Sequence, residues 1–299
     1  MPTMPQSATT VINTVTAEQR YLFDLQGFIV LQGVLTQNQC ANLIDSLVAL
    51  EEATFDDHAW RRRLAPEHQD GASPTRDENS TSIRMNGLLR LTTAFDHLID
   101  HPIVSDYLHG FMGTPQLVNT WSISKRRGTG AGGWHRGVGP MHYSCRDGTI
   151  RTAMLNVVWF LTDNGPDDGC MCAVPGSHKS DLAHMADRQG AIPVLVGGAD
   201  FAYHTYPGLT LPGSVPITGN AGDVLVFSEA LIHSGLGKTS DGIRRNLYFN
   251  HLQQHHSVAG YEPCNMRHFW LPDRVRERFS PARRAMTAWM SNARYELDE

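Results

Sequence analysis

Fifteen histidines among 299 residues are the first feature of this sequence to suggest metal chemistry, since imidazole is the commonest side-chain metal ligand. Two of them sit at the edges of strand-like segments. His135 follows the glycine-rich turn GTGAGGW, and His233 follows the apolar run DVLVFSEALI. They lie far apart in the chain, so only the fold can make them one site. Arg244 comes shortly after His233, on a strand that would return beside it. A fixed guanidinium near two imidazoles suits an anionic, chelating cosubstrate, because the arginine fork grips a carboxylate through two parallel hydrogen bonds. Arg245 is the neighbouring alternative; on a strand it would point to the opposite face.

Other candidates carry less. A literal His68-Gln69-Asp70 lies in a polar stretch ahead of any expected barrel strand and reads as a decoy. His178 belongs to the turn motif PGSHK, while His251, His255 and His256 come late in the chain, where a solvated or rim position is expected. The cysteines at 40, 145, 170, 172 and 264 are odd in number and lack paired CxxC spacing. That argues against a disulfide framework and against structural zinc. Cys170 and Cys172 read as packing residues on one face of a strand.

The elements that must position these residues follow from hydrophobic pattern and turn chemistry. Residues 1–15 read as a flexible tail, and residues 16–299 as a single domain. Thr16-Ala-Glu-Gln has helix-start chemistry, with a helix expected up to Gly27. GFIVLQGVL then reads as a strand, and Thr36 as the N-cap of a helix through Leu50. The polar stretch at about 54–82 is too long for an ordinary connection and reads as a lid loop. Helical segments return from about 89 to 111. From Gln116 the pattern changes to short strands broken by Gly and Pro: QLVNTWSISK, TAMLNVVWFL, CMCAVP, IPVLVG, DVLVFSEALIHS and RRNLYFNHL. A helical segment follows from Pro272. Many short strands with helices mainly at one end predict a mainly β fold, a double-stranded β-helix or jelly roll buttressed by helices.

The net charge of −5 leaves no basic surplus to neutralise a phosphate backbone, so no nucleic-acid polymer is expected as a partner. The longest apolar runs fall far short of the roughly 20 residues of a membrane span. The N-terminus has no basic residue before Arg20 and no apolar core of a signal peptide, which makes a cytoplasmic protein the expectation.

Four blocks, GFIVLQGVLT, SKRRGTGAGGWHRG, DDGCMCAVPGSHKSD and AGDVLVFSEALIHSGLGKTSDGIRRN, resemble successive blocks of the phytanoyl-CoA dioxygenase family. The resemblance covers roughly residues 18–255. It implies an iron(II)- and 2-oxoglutarate-dependent oxygenase that consumes O2. His135 then resembles the proximal iron ligand, His233 the distal one and Arg244 the 2-oxoglutarate anchor, with Asn156 a further candidate contact to 2-oxoglutarate.

One departure matters. The family's H-x-D/E motif is here His135-Arg136-Gly137, so the carboxylate of the two-histidine, one-carboxylate triad is missing. Gly137 could leave a coordination position open for chloride, as in the non-haem iron halogenases that the motif resembles. Asp147 or Glu229 could instead supply the oxygen ligand and keep hydroxylase chemistry. Failing both, iron would bind weakly and the chain would be a non-catalytic jelly-roll binding protein. The leading expectation is a halogenase that chlorinates an aliphatic carbon of a small, nucleotide-like, anionic metabolite. Gly137 also has a plainer explanation, an unusual backbone turn in GVGP. On the substrate side, the clusters Arg61-Arg62-Arg63 and Lys125-Arg126-Arg127 could hold an anion. Arg84, Asn119, Trp121, His142 and Tyr143 are candidate pocket residues.

The decoy reading is testable on its own. Asp70→Ala should leave iron(II) affinity within about twofold of wild type in an anaerobic metal titration. A large loss would return His68-Gln69-Asp70 to the metal site.

Overall fold

Two mainly antiparallel sheets pack face to face and carry the site between them. The structure, a computed structural model, describes residues 15–53, 81–180, 195–196, 211, 213–254, 271 and 273–290. The chain enters through α1 (Ala17–Gln26), capped as the sequence predicts. The Thr16 hydroxyl accepts from the Gln19 amide, the Gln19 side chain returns the contact, and Gly27 ends the helix in the left-handed region at φ 84. Strand β1 (Phe28–Leu31) and helix α2 (Gln37–Ala53) follow. Thr36 and Gln39 exchange the same capping contacts at the start of α2.

The large sheet has the order β1-β11-β7-β13-β3-β2. Its members are β2 (Ser82–Asn86), β3 (Pro115–Arg126), β7 (Met154–Phe160), β11 (Val224–Ser228) and β13 (Ile243–Gln253), with β1 at one edge. The small sheet runs β10-β8-β12-β4-β9. It comprises β4 (His135–Arg136), β8 (Met171–Ala173), β9 (Leu195–Val196), β10 (Val215–Ile217) and β12 (His233–Gly235). Strands β5 (Tyr143–Arg146) and β6 (Thr149–Thr152) form a separate hairpin. This is the expected jelly roll.

The large sheet is covered on both faces, and its central strands β7 and β11 accordingly read as nearly continuous apolar runs rather than alternating ones. Every residue of β7, MLNVVWF, is buried. Val158, Phe160, Leu225 and Phe227 face the small sheet. Val157, Trp159, Val226, Leu247 and Phe249 face the main core. There they join α1, α2 and the helix Pro102–Met112 through Phe23, Leu47 and Phe111. Full burial of each such side chain contributes about 1.5–3 kcal/mol.

Several boundaries differ from the sequence reading. Val15, the last residue of the expected tail, is 5% exposed and packs into the main core, and residues 1–14 lie outside the described residues. Residues 54–80 of the expected lid also lie outside them, but Ser82 already pairs with Lys125 in the large sheet. The helical segments expected from about 89 to 111 are present as a short helix Leu88–Leu91, a 3-10 turn Asp96–Leu98 and the helix Pro102–Met112. The segment after Pro272 is likewise broken, at Ser280-Pro281, into Asp273–Arg276 and Pro281–Met286. His251 is not at a rim. It is 2% exposed because β13 continues through the sheet beyond it, and its Nδ1 donates to the Phe249 carbonyl. No helix among the described residues is long and apolar enough to cross a membrane.

Arg244 and Arg245 part as expected. Arg245 turns to the helix-covered face and pairs with Glu51 of α2 at 3.3 Å, both largely buried, and Glu51 also accepts from the Ser124 hydroxyl. Removing one partner of such a pair leaves an uncompensated buried charge. Glu51→Ala should therefore lower stability by about 3 kcal/mol, seen in the denaturant midpoint. The affinity of the remaining folded protein for 2-oxoglutarate should be unchanged, because Arg245 does not reach the cavity described next.

Candidate functional site

A cavity of about 530 Å³ opens between the sheets, within the usual range for a small-ligand site. At one end His135 and His233 stand directly opposite each other, the register pair joining β4 to β12. Their ring centroids are 4.2 Å apart. Each Nδ1 contacts a backbone carbonyl two residues upstream, Gly133 at 2.9 Å and Leu231 at 2.8 Å. A carbonyl only accepts, so each Nδ1 carries the proton and each Nε2 keeps its lone pair. Metal-binding histidines are commonly oriented in this way. Burial, reinforced by His233, pushes His135 down to about 4, and burial likewise pushes His233 down to about 4. Both rings are neutral at pH 7, the protonation state that a metal requires.

At the other end lie two cations from neighbouring strands, Arg244 of β13 and Lys125 of β3, paired in register. Arg244 is 4% and Lys125 8% exposed. Lys125 Nζ donates to the Leu236 carbonyl at 2.8 Å, and Arg244 donates to the Tyr248 hydroxyl at 3.2 Å, leaving its Nε without a partner. Neither has an acidic partner among the described residues. Burial, and then the neighbouring Arg244, pushes Lys125 down to about 7. Two buried cations with no counter-charge are costly, and an anion between them would remove that cost. The distal carboxylate of 2-oxoglutarate fits this end, as neutral imidazoles fit iron at the other.

Near the histidine end, one rung crosses three strands: Asn119 of β3, Asn250 of β13 and Asn156 of β7, all in register. Beside it Glu229 leaves the turn between β11 and β12. Its Oε1 accepts from Asn156 at 2.9 Å and from Asn250 at 3.3 Å. Burial pushes its carboxyl up, opposed first by His135 and then by the two amides. Gly137 and Val138 both donate their backbone N–H to the Glu229 carbonyl, at 2.8 and 3.2 Å.

Of the residues singled out in the sequence, His135, Gly137, Asn156, His233, Arg244, Arg84, Asn119 and Trp121 all line this cavity. His142 and Tyr143 do not. Tyr143 turns away to donate to Asp24 at 2.8 Å and packs edge-on against His178, while His142 closes a short turn, Pro140–His142, before β5. One N–H of the Asn156 amide donates to Glu229 at 2.9 Å, and its Oδ1 has no hydrogen-bond partner. Asp147 sits at the tip of the β5–β6 hairpin, exposed and away from the cavity. Arg127 pairs with Asp241 at 3.0 Å on the surface. Arg61-Arg62-Arg63 and His68-Gln69-Asp70 lie outside the described residues.

Tyr248 and Asn250 were missed as site residues, and Lys125 was named only within a basic cluster for a substrate anion. Strand periodicity could have found them: Lys125 shares its face with Asn119 and Trp121, and Tyr248 and Asn250 share theirs with Arg244.

A jelly roll with paired neutral imidazoles at one end of its cavity and buried cations at the other fits an iron- and 2-oxoglutarate-dependent oxygenase. The sequence profile of the phytanoyl-CoA dioxygenase (PhyH) family matches residues 23–246, and the chain belongs to that family. It is thus an iron(II)- and 2-oxoglutarate-dependent oxidoreductase. The ectoine dioxygenase of Sphingopyxis alaskensis is 22% identical over 254 residues, 78% of this chain and 74% of that protein. HygX from Streptomyces hygroscopicus, solved with nickel and 2-oxoglutarate bound, shares the fold with a TM-score of 0.61 at 19% identity, over 82% of this chain and 89% of its own. AviO1 from Streptomyces viridochromogenes Tue57 has a TM-score of 0.58 at 19% identity, over 82% and 99%.

The two-cation end predicts a pH dependence. A bound anion favours the charged form of Lys125, and the unliganded site loses that proton as pH rises through about 7. Affinity for 2-oxoglutarate should therefore fall above about pH 7. Lys125→Arg should flatten the profile, because a guanidinium stays charged, and Lys125→Met should weaken binding by about tenfold or more. Calorimetric titration of the manganese-loaded protein across pH would measure all three.

Proposed function

We propose that this protein hydroxylates an aliphatic carbon of a small polar metabolite, with iron(II) held by His135 and His233 and 2-oxoglutarate held by Arg244 and Lys125. The observation that carries this reading is the pairing of two neutral imidazoles and two buried, counter-ion-free cations at opposite ends of one cavity. Iron and 2-oxoglutarate together supply an oxidant from O2 that removes hydrogen from an unactivated carbon, leaving succinate and carbon dioxide. The chain's own part is to orient. The cations fix the cosubstrate's distal end, the Nδ1 contacts fix the imidazole planes, and Ile123 and Phe227 keep the cavity wall dry.

The wall also speaks to the substrate. Asn119, Asn156 and Asn250 each present a buried amide oxygen with no donor. Leaving such acceptors unpaired costs about 1–3 kcal/mol each, so a substrate offering O–H or N–H groups is favoured. Trp121 stacks on Tyr248 with ring centroids 5.2 Å apart, and Arg84 lies 5.3 Å above the Trp121 ring. That corner suits a planar or anionic group. It is what supports the nucleotide-like expectation, since Lys125 faces the cosubstrate end and Arg127 faces solvent.

Chlorination is the second reading, and Gly137 is the observation that favours it. Weighing against it is the Glu229 carboxylate, which stands beside Gly137 where a chloride would have to sit. Like charges do not share a buried position cheaply.

Anaerobic iron(II) and 2-oxoglutarate should give wild-type protein a weak visible charge-transfer band, lost in His135→Ala and in His233→Ala. With substrate and O2 in chloride buffer, product mass should rise by one oxygen. A product carrying chlorine in place of hydrogen, with bromine replacing it in bromide buffer, would establish the second reading instead.

A further inference from the structure

The residue two after His135 is a glycine, and its backbone does not explain why. Gly137 is absent from the positive-φ glycines of the described residues, so its conformation is open to any L residue. What excludes a side chain is Glu229. A Cβ at position 137 would lie 2.6 Å from Glu229 Oε2, 3.2 Å from its Cδ and 3.3 Å from its Cβ. The space that an aspartate at 137 would fill with its carboxyl is filled by a carboxyl from elsewhere in the chain.

That carboxyl is held in place from several sides. Its residue's carbonyl accepts from both Gly137 and Val138, and its own N–H donates to Met154 at 3.1 Å. The turn behind it is closed by Leu231 N–H donating to the Ser228 carbonyl at 2.9 Å, and Ser228 is tied to Thr152 across 2.9 Å. Asn156 and Asn250 occupy Oε1 alone, and Oε2 is the atom turned to the Gly137 gap. Glu229 lines the same cavity as both imidazoles. Among the described residues, no three His, Cys, Asp or Glu side chains enclose an ion in this arrangement. Bringing Oε2 between the rings takes a change of rotamer along the Glu229 side chain, with its broad last torsion then aiming the carboxylate.

We propose that Glu229 supplies the carboxylate ligand that position 137 lacks, so that iron is held by His135, Glu229 and His233, two of the three from one short turn. Gly137 is then the residue that admits this carboxylate rather than a halide. The inference rests on the iron and 2-oxoglutarate reading above and deepens it, because a carboxylate in this position makes the enzyme a hydroxylase.

The test is metal binding, read without turnover. Manganese(II) affinity is measured by electron paramagnetic resonance for wild type, Glu229→Gln, Glu229→Ala and His233→Ala. Glu229→Gln keeps the size and an acceptor for Asn156 and Asn250, so a purely structural Glu229 predicts affinity within about twofold of wild type. The proposal predicts a loss of at least about tenfold in both Glu229 variants, approaching that of His233→Ala. Chloride is the second arm, using the iron and 2-oxoglutarate band. Chloride should leave the wild-type band unmoved and should shift it in Glu229→Ala, where the position is opened. Unchanged affinity in Glu229→Gln, or a chloride-shifted band in wild type, would overturn the proposal while the oxygenase reading stands. Unchanged affinity in His233→Ala would overturn the oxygenase site itself.

Discussion

One register point holds this site together: the antiparallel pairing of His135 with His233 between two very short strands. Strand β4 has two residues and β12 three, so little else defines their alignment. Side chains alternate faces along a strand, and a slip of one residue would carry His135 out of the cavity and bring Arg136 in. The neighbours of this pairing guard against that. Gly132 donates to the Gly235 carbonyl at 2.8 Å and accepts from the Ser234 hydroxyl at 2.7 Å, while Gly137 and Val138 clamp the far side onto Glu229. The glycine-rich approach to His135 thus has a mechanical purpose, since backbone must run close to backbone there.

The large sheet provides the rigid counterpart. Five of its six strands contribute cavity residues, all from the face that looks at the small sheet, and the opposite face is fixed by the helices through Trp159, Phe249 and the Arg245–Glu51 pair. Each strand therefore has two sets of obligations, one to packing and one to chemistry, at alternating positions. Arg244 and Arg245 are the clearest case: identical residue types, adjacent in sequence, one facing the cavity and the other tying a helix down.

Much of this was legible in the sequence. Caps at Thr16 and Thr36 and the breaks between apolar runs placed most elements, because these are local effects. The convergence of His135, His233 and Arg244 came from family-like blocks rather than from periodicity. What stayed hidden was non-local. Lys125 reads as one of three consecutive basic residues, and only the neighbouring strand reveals that it faces inward while Arg127 faces solvent. Gly137 reads as a gap or a turn, because the sequence does not show that Glu229 fills the space. Tyr143 looked like a pocket residue from its nearness to His135, but the hairpin carries it off towards Asp24.

The paired cations have a consequence for exchange of the cosubstrate. Lys125 and Arg244 are like charges on adjacent strands, an arrangement that a sheet tolerates poorly unless an anion lies between them. In the proposed arrangement they would hold the carboxylate farthest from the carbon that is lost when 2-oxoglutarate becomes succinate. Spent and fresh cosubstrate look the same from that end. Discrimination between them would then come from the metal end, where the fresh molecule offers a 2-oxo acid with two chelating oxygens and the spent one only a simple carboxylate. In that arrangement product release would be governed by the imidazoles and their oxygen partner, with the cationic end an indifferent socket.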